Sequence, residues 1–460
     1  MKRNVLIRAI CIFMIFCNLL FSSSDAIAYA AENIANQPQK GEYYGKDINK
    51  ETEKVSSANQ NSNKSTKALR KPSVSKPKKE KTYAKDTEVV SKRTANSMTY
   101  KLDNKTEVKD IYLDKINYKD ENGNYQEIDN TLELKNDGYY ENKANDYKVN
   151  FPTEITKDKG ILVQNGKTSV TLFPMEGDFS RSAAAENAIL YNDVFEGVDY
   201  QYTAKSNGVK EDIILNYYVD KTTFKYEISA KGVTLKEELN SIRGYEPGKK
   251  EPIFIISAPL MVDASGKINS NLTIKLDKKT FGKDIITVTV DEDWLKSPQR
   301  AYPVKIDPEI SIFSGDINVA CAEENAPDTN TLNNGYTYAG LDDGVASGNN
   351  DYKINGLQKT RTFVKVNRNL SAEMPKEATI KSANFQIFKY TAFSTAEREV
   401  GLYSVDESFD ISRLTWNNQP KNRTFYSSAI INGTKDYISW DIKTLVNDWI
   451  NGKTNNGFIL

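Results

Sequence analysis

Histidine is absent from the 460 residues, and that absence bounds most of what the side chains could do. Without an imidazole there is no Ser-His-Asp or Cys-His arrangement to activate a nucleophile. Histidine zinc sites go with it, and the cysteines do not replace them. Cys11 and Cys17 lie in an N-terminal stretch argued below to be removed, which leaves Cys321 alone, read as a small buried apolar residue without a disulfide. Carboxylate chemistry of the glycosidase kind remains open, but among 62 acidic residues two neighbours in sequence carry no information. Phosphate-binding glycine loops are not found, and Gly344-Val345-Ala346-Ser347-Gly348 misses the nucleophile elbow because its serine comes one place late. Asp328 and the Asp342-Asp343 pair sit among Asn and Gly, where ordinary turns use the same residues as calcium loops. No catalytic, cofactor-binding or metal-binding residue is therefore expected, no cofactor is implied, and the chain reads as non-enzymatic.

Aromatic side chains are the better candidates for binding. There are 26 tyrosines and four tryptophans. An indole or phenol ring offers an apolar face and a polar tip, which suits a sugar ring. Trp416 and Trp440 could serve as such platforms, although aromatic residues in strands more often fill a core. Ligand-binding residues otherwise stay unknown from sequence.

Several elements must position these residues. Residues 1–30 read as a signal peptide: Lys2, Arg3 and Arg8 precede an apolar run from Ala9 to Phe21, and Ala26-Ile27-Ala28 supplies a cleavage site. The run is too short for a membrane anchor, and nothing later is long and apolar enough to span a bilayer. Residues 31–97 read as a disordered basic linker, with Arg70 and many lysines among Asn, Gln and Ser. Its charge could adhere to anionic wall polymers, but a solvated spacer explains it as well. The whole chain balances 62 basic against 62 acidic residues, so no nucleic-acid partner is expected.

From residue 98 onward the fold class is all-β. Leu272, Ile274 and Leu276, and again Ile286, Val288 and Val290, alternate with polar residues as strands do. Turn signals at Asn122-Gly123, Asn165-Gly166 and Asn207-Gly208 separate such runs. Residues 98–307 form one β-sandwich-like domain, closed by Tyr302-Pro303-Val304-Lys305-Ile306-Asp307-Pro308, and 308–460 form a second, jelly-roll-like one. Strands are expected at Thr362–Val366, Ala383–Phe388, Val400–Val405 and Tyr437–Trp440. One helix is expected after Asp441 as N-cap, with Ile442, Leu445, Val446, Trp449 and Ile450 on its inner face and Gly452 ending it.

The second block resembles the DNRLRE-type domain, also classed as carbohydrate-binding module family 96. The resemblance runs through Pro327-Asp328-Thr329-Asn330, Arg361-Thr362-Phe363-Val364-Lys365-Val366, Leu414-Thr415-Trp416-Asn417-Asn418-Gln419-Pro420 and the stretch from Trp440 to Phe458. The Thr-Trp-Asn-Asn-x-Pro run is its most specific part. The family continues past an Asn-Gly-Phe-x-Leu strand where this sequence stops, which implies a C-terminally incomplete domain with an open edge. The middle block is similar to wall-associated and Rhs-like toxin proteins of Gram-positive bacteria through Tyr191-Asn192-Asp193-Val194-Phe195-Glu196-Gly197-Val198-Asp199-Tyr200, Lys210–Leu215 and Trp294 to Pro308.

Together these imply a secreted or wall-associated, non-catalytic surface protein that binds cell-wall or extracellular polysaccharide through its second domain. The alternative is the export and scaffold part of a YD-repeat toxin. A polysaccharide lyase or glycosidase is the least favoured reading. The oligomeric state is not legible.

Overall fold

Alternating sequence becomes sheet where expected. In the computed structural model Thr273–Asp277 pairs antiparallel with Asp284–Thr289, setting Ile274 opposite Val288 and Leu276 opposite Ile286. The structure describes residues 4–8, 69–72, 84 and, from 87 to 460, all but 313–316, 325, 333–339, 343–357, 368, 374–378, 390–396 and 432–435. Most of the expected leader and linker, Asp343 and the Gly344–Gly348 run lie outside the described residues.

The middle block is two antiparallel sheets over one core. The first has eight strands, running in space from Thr273–Asp277 at one edge to Asp129–Leu134 at the other. The second holds Ala188–Phe195, Val198–Lys205 and Gly208–Leu215 as consecutive antiparallel neighbours. Phe151, Phe224, Ile274 and Ile286 from the first sheet meet Tyr191, Tyr202 and Ile213 from the second. Phe151 and Tyr202 rings lie 6.2 Å apart, and Tyr191 and Tyr202 meet edge to face at 6.0 Å. The all-β expectation is borne out.

Gly208–Leu215 carries buried charge on the sheet face turned away from this core, opposite Val209 and Ile213. Lys210 Nζ lies 2.6 Å from Asp212 Oδ1 and 3.0 Å from Asp307 Oδ2, and Lys205 Nζ lies 3.0 Å from Glu309 Oε2. All five side chains are buried, so each needs its opposite charge. On the other face Glu211 accepts a hydrogen bond from Tyr202 Oη. The Tyr302–Pro308 run supplies two strands here. Val304–Asp307 and Glu309–Ile312 both pair with Gly208–Leu215, so the sheet of the middle block continues past residue 308 to Ile312.

The second block is also a two-layer sandwich. Its larger sheet orders Ile317–Glu323, Gln358–Val366, Phe458–Ile459, Arg398–Val405 and Arg423–Ile431. Asn384–Lys389 and Asp436–Asp441 form the facing pair. Val364, Leu402 and Phe458 from one layer pack on Phe385 and Trp440 from the other, with Phe385 and Phe458 rings 4.7 Å apart. Phe458–Ile459 is paired on both sides, to Phe363 and Val364 and to Tyr403 and Ser404. Phe458–Ile459 is thus an inner strand of this sheet. The helix is Lys443–Ile450, one residue later than expected: Ile442 is its N-cap, while the Asp441 carboxylate accepts from Lys443 N at 2.8 Å. Leu445, Val446 and Trp449 are buried, as the apolar stripe requires.

Order also begins before residue 98. Val90–Lys92 is a short 3-10 helix, and Ser97–Lys101 pairs with Thr106–Ile111. Asn4–Arg8, within the expected leader, runs parallel to Thr106–Ile111. This hairpin does not stay with the middle block: Ile111 and Leu113 join the core of the second sandwich, and Lys109 Nζ lies 2.7 Å from Glu373. The blocks also meet directly. Arg243, fully buried, donates to Ser412 O and, at 2.8 Å, to Asn330 Oδ1. Ile255 of the middle block packs with Ala320, Phe363, Ile411 and Leu414 of the second.

Candidate functional site

Side chains of Gln358–Val366 alternate between two faces. Val364 points into the sandwich, while Arg361, Phe363 and Lys365 point outward beneath the loop that carries Trp416. Phe363 is covered by Ile411 and Leu414. Arg361, nearer the strand's start, is left beside an open cleft of about 310 Å³ lined by Arg361, Trp416, Asn417, Gln419, Pro420, Lys421 and Arg423.

The Thr-Trp-Asn-Asn-Gln-Pro run builds the cleft wall by hydrogen bonding. Asn418 Oδ1 accepts from Thr415 N at 2.8 Å and its Nδ2 donates to Arg413 O at 2.8 Å, which closes the loop on itself. Asn417 Nδ2 donates to Asp328 Oδ1 at 2.8 Å, tying the loop to Pro327-Asp328-Thr329-Asn330. Asn330 Nδ2 reaches Leu414 O at 2.6 Å and Ile411 O at 3.2 Å. The two asparagine-containing runs therefore position one tryptophan.

Trp416 is half-buried, with the Arg361 guanidinium 4.7 Å from its ring centre. Arg361 Nη1 donates to Gln419 Oε1 at 2.5 Å, and Gln419 Nε2 donates to Trp416 O at 2.9 Å. Partial burial and then the nearby Arg423 charge push the Arg361 pKa down, against the pull of Glu324. Lys421 and Arg423 are exposed at the rim, with Arg423 5.4 Å from the Tyr403 ring. Among the described residues no carboxylate lines the cleft, although Glu407 accepts from Lys421 N and Asn422 N behind its rim. Three cations beside an indole suit an anion that also presents a flat apolar face.

Of the two candidate platform tryptophans, only Trp416 is at this site. Trp440 is fully buried, donating Nε1–H to Val400 O at 2.8 Å. Cys321 is buried beside Thr362. Asp328 serves the Asn417 turn, and the described residues hold no cluster of His, Cys, Asp or Glu that could hold a metal ion. Lys421 and Arg423 escaped sequence reasoning, although Lys421-Asn422-Arg423 directly follows the most specific motif. Among the described residues no helix is long and apolar enough to cross a membrane.

This geometry lies in a segment of defined class. Residues 350–460 match the model of carbohydrate-binding module family 96, which bears out the resemblance and begins later than the expected domain start at 308. Over most of its length the chain is similar to particular bacterial proteins. The tRNA3(Ser)-specific nuclease WapA of Bacillus spizizenii is 27% identical over 407 residues, 82% of this chain and 17% of that protein. The tRNA nuclease WapA of Bacillus subtilis strain 168 is 26% identical over 408 residues, again 82% of this chain and 17% of that protein. The tRNA(Glu)-specific nuclease WapA of Bacillus subtilis subsp. natto is 26% identical over 408 residues, 82% of this chain and 16% of that protein. These similarities support the likeness of the middle block to wall-associated toxins. No solved structure matches.

The relatives correct one expectation. The chain was read as non-enzymatic because it lacks histidine, yet the proteins it aligns with are named nucleases. The chain spans less than a fifth of their length, so its composition bounds only chemistry done by these residues.

Proposed function

We propose that this chain is the wall-docking portion of a secreted nuclease-type toxin, and that it docks through the Arg361–Trp416 cleft on an anionic polysaccharide. The observation that carries the reading is the Arg361 guanidinium on Trp416, with Lys421 and Arg423 alongside and no carboxylate among the described lining residues. A uronate or phosphate-bearing sugar would set its ring against the indole and its anion against the arginine forks. Residues 1–30 would direct export, the second sandwich would dock, with the middle block as its support, and the tRNA nuclease activity named for the relatives would belong to the longer protein. The test is retention of the full chain on teichoic-acid-containing cell wall, polygalacturonate and neutral amylose. Binding to both anionic polymers is expected, weakening as salt is raised because exposed charges are screened. Trp416→Ala and Arg361→Ala should each lower retention about tenfold, as loss of a contact worth about 1–2 kcal/mol would. Equal retention on amylose, or retention unchanged in both variants, would sink the assignment.

A further inference from the structure

We infer that the bulged end of the strand Ala188–Phe195 is a binding site for an extended peptide centred on arginine, and that the chain's own Leu69–Pro72 fills it. The site reads the backbone and the side chain separately. Asn192 accepts from Arg70 N through Oδ1 at 3.1 Å and donates to Arg70 O through Nδ2 at 3.1 Å. One primary amide thereby holds both main-chain groups of a single residue, as a neighbouring strand would. The guanidinium is read by two carboxylates: Arg70 Nη2 lies 2.7 Å from Asp199 Oδ1 and 3.3 Å from Asp193 Oδ1.

The pocket is built by its own hairpin. The pairing of Ala188–Phe195 with Val198–Lys205 shifts register between Tyr191 and Phe195, and Asp193 sits at φ 49°. The bulge turns the Asp193 carboxylate toward the same spot as Asp199. Asp193 N donates to Asp199 Oδ1 at 2.8 Å, and Asn216 Nδ2 holds Asp199 Oδ2 at 3.0 Å. Arg181 occupies the other oxygen of Asp193 at 2.8 Å. Asp199 is only 2% exposed, and its one ion-pair partner among the described residues is Arg70. A carboxylate so buried needs a cation. Both contacts are made by the one nitrogen Nη2, so what favours arginine over lysine here is its longer reach and its weaker hydration on entering a buried ion pair.

The sequence agrees with that selectivity. Arg70 is the only arginine between Arg8 and Arg93, in a stretch otherwise supplied with lysines. The lysines are interchangeable charge; the arginine stands at the one position the pocket reads. The segment expected to be a disordered spacer is thus fastened to the middle block at residue 70, with Pro72 buried beside it.

Trypsin provides the test, because it cuts after both arginine and lysine. In the folded full chain the Arg70–Lys71 bond should be cut slowly. Arg70→Lys keeps the cleavage site and leaves the hairpin untouched, yet cutting should be at least ten times faster. Asp199→Asn should do the same at the unchanged Arg70 bond, and Arg70→Lys carries the test if that variant fails to fold. A peptide covering residues 67–73, added to the full-length Arg70→Ala chain, should bind, and its Arg70→Lys counterpart should not. Equal cutting of wild type and Arg70→Lys, or equal binding of the two peptides, would overturn the inference.

Discussion

Single side chains in this molecule divide by whether their surroundings can carry their charge. Glu211 is buried against the tyrosines of the middle block, and burial pushes its carboxyl pKa up to about 8, opposed by the hydrogen bond from Tyr202. The usual value is 4.5. Between those values the folded state keeps a proton that the unfolded chain releases. Stability from this group is therefore fully present below about 4.5 and lost as pH rises through about 8. Asp307 is also raised by burial and acts with the same sign. Glu211→Gln should flatten the fall of melting temperature between about pH 5 and pH 9, measured by calorimetry. Parallel curves for the two proteins would assign the pH dependence elsewhere. The tryptophans show how far residue types were legible. Trp440 shares a strand face with Ile438, alternating with exposed Ser439, and is core; Trp416 follows a threonine in a loop and is the one at the cleft. The sequence marks that difference only through the surrounding Asn-Asn-x-Pro turn.

At the scale of elements, local pattern translated well and partner choice did not. The strands Thr273–Asp277 and Asp284–Thr289 were plain from period two, and so was the helix that stops short of Gly452. Strand order was not, because backbone pairing leaves no trace in the side-chain alternation of one strand. Glu309–Ile312 looks from sequence like the start of a new domain, yet it pairs with Gly208–Leu215. Phe458–Ile459 lies between two neighbours, which its short apolar run does not announce. Gly457 shows why that position is exacting. It has φ +88°, and an added Cβ would stand 2.2 Å from Val364 O. A backbone carbonyl cannot swing aside as a side chain could, so the strand itself must move. Gly457→Ala should destabilise the second sandwich by about 2–4 kcal/mol, from left-handed strain added to overpacking. Urea unfolding followed through the second block would measure this; a loss under about 0.5 kcal/mol would mean the strand shifts freely.

For the whole molecule, the seam between the blocks decides whether it melts as one. Arg243 is buried there with no ion-pair partner among the described residues, held by Ser241 Oγ, Ser412 O and Asn330 Oδ1, and burial lowers its pKa against the pull of Tyr245 and Glu238. Arg243→Met keeps much of the volume but strands the two acceptors across the seam, Ser412 O and Asn330 Oδ1. The wild-type chain should show a single calorimetric transition, and the variant two. One unchanged transition in the variant would place the coupling in the apolar contacts around Ile255 instead. None of this was legible from sequence, since Arg243 sits in an unremarkable strand and its partners lie 87 and 169 residues away. The N-terminal hairpin reaches further still. Ile111 and Leu113 complete a core whose other members include Trp440 and Trp449. Synthesis runs from the N-terminus at about 5–20 residues per second, so the hairpin waits on the order of tens of seconds for its partners to be made. Throughout that interval the second core cannot close, whatever the earlier residues do. Among the described residues the middle core has no member beyond Ile312 and can close well before the second, which must wait for Phe458.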